Sequence, residues 1–198
     1  MSYICLITNR NLVSSDEEYF RVIEEAINAG IDHIILREKE LPYKIVLGYA
    51  IKIKGMIGSR KTKLFINSMY KIKNEIEGVG IHMPYNMFIE LKNDINGEIG
   101  VSVHSVEEAI NAYKLGASYI LCSNIYETNC KKGLKGKGLL FIKEIKSKVP
   151  IKVIALGGIN ILNYKEVLNS GADGIGIMSD IMKNDDVYNL VVKYKSCN

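Results

Sequence analysis

Short apolar runs alternate with longer amphipathic stretches along the whole chain. The runs that read as strands are residues 3–8, 33–37, 63–67, 80–83, 99–103, 118–122, 152–155 and 174–178. Many are apolar at consecutive rather than alternate positions, as expected of strands covered on both faces of a parallel sheet. Between them, residues 17–29 place Tyr19, Phe20, Val22, Ile23, Ala26 and Ile27 on one helical stripe. Residues 106–115, 139–148 and the shorter 164–170 read the same way.

The joints carry their own signals. Asn28-Ala29-Gly30-Ile31-Asp32, Leu115-Gly116-Ala117-Ser118 and Ser170-Gly171-Ala172-Asp173 each put glycine where a helix ends before the next strand. Ser14-Ser15-Asp16-Glu17 and Ser105-Val106-Glu107-Glu108 read as helix caps with acids in the first turn. Eight β-units leave about 25 residues each, which predicts a compact (β/α)₈ barrel with short helices, an α/β fold. A doubly wound open sheet is the competitor, but no GxGxxG follows the first strand.

Composition narrows the class without changing the fold. The 198 residues, 47% hydrophobic and 24% charged, suit one soluble domain spanning 1–198, with no linker or low-complexity stretch. No apolar run approaches the ~18 residues of a membrane span, and MSYICLITNR has no signal-peptide pattern, so a cytoplasmic location is expected. The four cysteines (Cys5, Cys122, Cys130, Cys197) form no CxxC pair, which argues against a zinc site or disulfide framework. A net charge of +4 and the absence of tryptophan leave no nucleic-acid platform. A homo-oligomer is open.

In such a barrel the chemistry sits at the C-terminal ends of the strands and in the loops that follow. The second strand ends Leu36-Arg37-Glu38-Lys39, where two cations suit an anionic group, or form a surface cluster with Glu38. Asn67 ends the third strand and His82 the fourth. Ser102-Val103-His104-Ser105 ends the fifth, where Ser105 either caps its helix or reaches the mouth. After the sixth comes a long polar loop, Ser123 to Gly133, continued by Lys135-Gly136-Lys137-Gly138. Gly157-Gly158 after the seventh strand and Met178-Ser179 after the eighth make the strongest local signal, a phosphate site built from backbone N–H groups.

Taken in order, Leu36-Arg37-Glu38-Lys39, Ile66-Asn67, Gly80-Ile81-His82, Ser102 through Ala109, Ala155-Leu156-Gly157-Gly158-Ile159 and Gly171-Ala172-Asp173-Gly174 resemble the thiamin phosphate synthase/TenI family over essentially the whole chain. The resemblance implies a barrel that binds thiazole phosphate in its mouth. Gly157, Gly158, Met178 and Ser179 would hold the phosphate, and Arg37 and Lys39 would face the carboxylate or other anionic end. Asn67, Ser105, Thr128 and Lys131 complete the candidate binding set.

The family has two branches. The synthase joins a hydroxymethylpyrimidine diphosphate to thiazole phosphate and needs Mg²⁺. The metal is usually held by an Asp directly after the Asn of strand three and another just after strand four. Here those places read Ser68 and Met83-Pro84-Tyr85-Asn86-Met87, and Ile35 stands where a Gln usually precedes Leu-Arg. Mg²⁺ wants hard oxygen ligands and normally a carboxylate. Tyr126 through Leu134, and Met178-Ser179, instead resemble the thiazole tautomerase (TenI-type) branch, which aromatises a thiazole carboxylate phosphate by moving a proton without metal.

That branch's acid/base histidine falls at Asn124, and an amide does not exchange a proton near neutral pH. Substitutes are Glu127, His104, Cys130 and Lys131. The expectation is a metal-independent thiazole tautomerase, with a phosphorylated thiazole as its partner and no cofactor. A non-catalytic thiazole-phosphate binder and a diverged, Mg²⁺-using thiamin phosphate synthase are the alternatives.

Overall fold

The computed structural model of the chain describes residues 2–127 and 135–196. Eight strands, β1 (Tyr3–Ile7), β2 (His33–Leu36), β3 (Lys63–Asn67), β4 (Gly80–Pro84), β5 (Ile99–Val103), β6 (Tyr119–Ser123), β7 (Lys152–Leu156) and β8 (Gly174–Ile177), pair in sequence order. All pairings are parallel, and β8 closes the barrel on β1 with Tyr3 opposite Gly174. The predicted (β/α)₈ barrel is therefore the fold, with each strand within one residue of its expected bounds.

The helices are α1 (Asp16–Asn28), α2 (Tyr43–Ile57), α3 (Tyr85–Leu91), α4 (Val106–Lys114), α5 (Gly138–Lys146), α6 (Tyr164–Asn169), α7 (Ser179–Met182) and α8 (Val187–Lys195). In α1 the six residues of the predicted stripe are the buried ones, each worth about 1.5–3 kcal/mol for a large apolar side chain. Ser15 caps α1 by accepting from the Glu18 N–H. Its C-terminus closes through Gly30 and Ile31, whose N–H groups reach the Ile27 and Ala26 carbonyls.

Between β2 and β3 the sequence shows no clean stripe, because α2 buries Val46, Tyr49, Ala50, Ile53 and Ile57 while Ile45 and Ile51 face outward. Apolar residues on both sides blur the period. After β3 a single 3-10 helix, Tyr70–Asn74, replaces the usual α-helix and pins its turn with buried Ile72.

The core lies in two shells. Residues such as Ile4, Leu6, Ile34 and Leu36 face the helices. Their neighbours Cys5, Ile7 and Ile35 face the barrel axis beside Phe65, Tyr119, Leu121 and Ile154. Two glycines make room inside: a Cβ at Gly80 would sit 2.3 Å from the Phe65 ring, and one at Gly100 2.0 Å from the Tyr119 ring. His33 stacks on Phe65 with centroids 4.0 Å apart and shares a 2.9 Å hydrogen bond with Tyr3 through Nδ1. Its Nε2 is buried without a hydrogen-bond partner among the described residues, and burial drives its pKa well below the usual histidine value.

Candidate active site

The same two-residue period that fills the axis delivers side chains to the C-terminal mouth: Arg37 after Ile35, Asn67 after Phe65, Ser102 after Gly100, Ser123 after Leu121, Met178 after Gly176. These line a cavity of about 1060 Å³ together with Asn9, Lys39, Ser68, His82, His104, Asn124, Glu127, Gly157, Gly158, Ser179, Asp180 and Lys183. A smaller cleft of about 150 Å³ adjoins it between the loops after β1 and β2. The apolar floor of Ile7, Ile35, Leu121 and Leu156 under a polar rim suits a small ring carrying anionic groups.

Arg37 and Lys39 owe their placement to the residue between them. Glu38 turns inward and is buried, and its Oε1 accepts from Thr8 Oγ1 at 2.6 Å and from the Tyr19 hydroxyl at 2.7 Å. Its Oε2 accepts from the Arg10 N–H at 2.8 Å, and Thr8 Oγ1 in turn accepts from the Arg37 N–H at 3.0 Å. The expected alternative of a surface cluster with Glu38 does not form, because the carboxylate is spent on uncharged donors. Among the described residues neither Arg37 nor Lys39 is in an ion pair, which leaves both charges to the cavity.

The floor is polarised by a buried chain. Tyr119 Oη lies 2.8 Å from His82 Nδ1, and His82 Nε2 lies 2.7 Å from Ser102 Oγ. Burial raises the tyrosine's pKa well above its usual value and pushes His82 down to about 3, helped by the nearby Arg37 charge. Both are therefore neutral. Tyr119 has no other acceptor among the described residues, so its hydroxyl donates to Nδ1 and Nε2–H donates to Ser102.

Across the mouth, Gly157 and Gly158 pack against the loop after β6. Their φ angles are +112° and +68°, and an added Cβ would meet Asn124 Cα at 2.9 Å or Tyr126 Cβ at 2.7 Å. Ile125 N–H donates to the Leu156 carbonyl and Tyr126 N–H to the Gly157 carbonyl, each at 3.0 Å. The glycines therefore set the position of Asn124 as well as lining the cavity. Asn124 is buried, and His104 reaches across to the Ser123 carbonyl at 3.0 Å through Nδ1.

Of the sequence candidates, Arg37, Lys39, Asn67, His104, Asn124, Glu127, Gly157, Gly158, Met178 and Ser179 meet in one cavity. Ser105 does not line it: its hydroxyl accepts from the Glu108 N–H at 3.0 Å and caps α4, one of the two roles its sequence allows. Thr128, Cys130 and Lys131 lie outside the described residues. The site also includes Asn9, Ser102, Ser123, Asp180 and Lys183, which sequence reasoning missed. The inward period would have found Ser102 and Ser123. Asp180 and Lys183 depend on the single turn of α7, for which local sequence held no signal.

The residues present do not suit the Mg²⁺ used by the synthase branch. Ser68 and Asn67 end β3, with Asn67 Nδ2 donating to Ser68 Oγ at 3.1 Å. Asn86 is exposed on α3 and does not line the cavity. The carboxylates of the lining, Glu127 and Asp180, follow β6 and β8, and the Asp180 carboxylate accepts from the Tyr194 hydroxyl. Neutral oxygens at the ends of β3 and β4 do not fit a hard dication that keeps at least one carboxylate. Among the described residues no group of three or more His, Cys, Asp or Glu could hold a metal ion. Nor is any helix among them long and apolar enough to cross a membrane.

Known proteins resemble this chain over most of its length. A protein of Clostridium acetobutylicum named thiamine-phosphate synthase is 35% identical over 181 residues, 89% of this chain and 85% of the relative. One of the same name from Clostridium novyi is 35% identical over 187 residues, covering 92% and 91%. The solved thiamine phosphate pyrophosphorylase from Pyrococcus furiosus superposes with a TM-score of 0.82 at 26% identity, over 97% of this chain and 93% of that one. The (S)-3-O-geranylgeranylglyceryl phosphate synthase of Thermoplasma acidophilum, with a TM-score of 0.67 at 16% identity over 98% and 91%, shares the fold. The family described as thiamine monophosphate synthase matches residues 4–181, and with the barrel, the Arg37/Lys39 rim and the glycine pair in place, the chain belongs to the thiamine monophosphate synthase/TenI family of thiamine biosynthesis.

Proposed function

We propose that the chain binds a phosphorylated thiazole in its barrel mouth and isomerises it by proton transfer without a metal ion, as the tautomerase branch does. The charge layout of the mouth carries this reading. Two cations without acidic partners among the described residues stand on the β2 rim, backbone-rich glycine turns lie across from them, and no carboxylate ends β3 or β4. Phosphate at Gly157, Gly158, Met178 and Ser179 would use backbone N–H groups, and Arg37 and Lys39 would meet the ring's carboxylate. Ser102, made a hydrogen-bond donor by the Tyr119–His82 chain behind it, suits an acceptor atom on the ring.

A second reading is the synthase itself, favoured by the names of the Clostridium relatives and of the Pyrococcus furiosus structure. Against it stand Ser68 and Asn86, where that chemistry needs metal-binding carboxylates. Paired assays separate the readings. Aromatisation of thiazole carboxylate phosphate in metal-free buffer supports the isomerase. Mg²⁺-dependent pyrophosphate release from the pyrimidine diphosphate supports the synthase. Tight thiazole phosphate binding with neither activity makes the protein a binder, and Asn124→His creating activity where wild type has none would say the same.

A further inference from the structure

We propose that His104 Nε2 is the group that carries the proton, taking the task that Asn124 cannot perform; the proposal rests on the isomerase reading above. The imidazole is held from behind. Its Nδ1 lies 3.0 Å from the Ser123 carbonyl oxygen, which can only accept, so Nδ1 carries the hydrogen and the neutral ring keeps its lone pair on Nε2. The 3.4 Å approach of Ser123 Oγ to the same nitrogen is met by that hydroxyl accepting. The anchoring carbonyl belongs to the peptide unit that joins Ser123 to Asn124, so one backbone group positions both the amide and the base.

The backbone of His104 is fixed as well. Its N–H donates to Glu108 Oε2 at 2.6 Å while Ser105 Oγ accepts from the Glu108 N–H, a reciprocal cap on the first turn of α4. Ser105 thus serves the site by orienting its neighbour rather than by touching a ligand.

The other titratable groups among the described lining residues are less suited. His82 has both nitrogens engaged and stays neutral. Asp180 is bonded to Tyr194. Arg37, Lys39 and Lys183 are cations, and a carboxylate such as Glu127 is by type a weaker base than imidazole. In the step itself, Nε2 takes a proton from an sp³ ring carbon, and the C–H electron pair enters the ring as it becomes aromatic. The far carbon of the conjugated system then takes the proton back from the imidazolium. The histidine leaves unchanged and no oxidant is needed.

Two measurements test this. First, deuterium incorporation into thiazole carboxylate phosphate in D₂O is followed for wild type, His104→Gln, His104→Asn and Glu127→Gln, alongside thiazole phosphate affinity and circular dichroism. The proposal expects the two His104 variants to lose about 100-fold or more in rate with folding and affinity kept, and Glu127→Gln to lose less than either. An inert wild type overturns the isomerase reading, and the proposal with it. An active wild type with equally active His104 variants, or loss in Glu127→Gln alone, overturns only the proposal. Second, the nitrogen shifts of the three histidines, assigned by substitution, report the tautomer whatever the activity. Hydrogen on Nδ1 of His104 is expected, and hydrogen on Nε2 would overturn the assignment.

Discussion

Replacing Gly157 by alanine should unsettle the fold and the mouth together. At φ +112° an L-residue is strained, and its Cβ would lie 2.9 Å from both Asn124 Cα and Asn124 Cβ and 3.1 Å from the Ile125 nitrogen. Two of these are backbone atoms, so no side chain can swing away, and the loop is tied to β7 by the 3.0 Å bonds from Ile125 and Tyr126. The backbone conformation costs about 1–3 kcal/mol and the overpacking about 1–3 kcal/mol, roughly 2–6 kcal/mol in sum. Each kcal/mol lowers Tm by about 2–4 °C in a chain of this size. Urea denaturation of Gly157→Ala gives the stability, and calorimetry with thiazole phosphate gives the affinity, which should fall too. Gly55→Ala is the control: it lies in α2 with nothing within 4 Å of the added Cβ and should stabilise by about 0.4–1 kcal/mol. If Gly157→Ala unfolds within about 0.5 kcal/mol of wild type, the close packing of the glycine pair on the Asn124 loop is wrong.

Gly100→Ala would push a methyl to 2.0 Å from the Tyr119 ring, and should cost more than about 3 kcal/mol in denaturant unfolding while breaking the Tyr119–His82–Ser102 chain. Glu38→Gln sets an amide among three donors and should cost about 1–3 kcal/mol, with weaker thiazole phosphate binding measured in the same sample. Arg37→Gln should leave stability unchanged and weaken that binding by about 10–100-fold, checked by titration calorimetry. Burial holds His33 and His82 neutral with lowered pKa values, so their contribution is present above pH 6.5 and is lost as pH falls below it, for His82 down to about 3. Unfolding free energy measured from pH 7 to 4 should drop by about 1.4 kcal/mol per pH unit below 6.5 on account of His82, with His33 adding in the same direction, and His82→Gln should flatten the curve.

The barrel was legible because its strands are apolar on consecutive positions, and the α1 stripe and the glycine helix ends marked the connections between them. The period failed where tertiary packing rather than amphipathicity decides: α2 carries apolar residues outward, and the 3-10 helix after β3 is too short to show a stripe. The rim residues Arg37, Lys39, Asn67 and the glycine pair could be read because each ends a strand. Ser105 could not be assigned, since a cap and a ligand contact look alike in local sequence and only the bond to the Glu108 N–H separates them. His82 gives no hint of its chain either, because Tyr119 lies 37 residues away and meets it only through the interior of the closed barrel.

The central claim is that this mouth moves a proton on a phosphorylated thiazole without a metal. The direct measurement is mass-spectrometric deuterium incorporation into thiazole carboxylate phosphate in D₂O, with excess chelator present. The account predicts enzyme-dependent incorporation at one carbon, undiminished by the chelator and accompanied by the aromatic product. No incorporation above the uncatalysed rate, with Mg²⁺-dependent pyrophosphate release from the pyrimidine diphosphate in the same preparation, would contradict it.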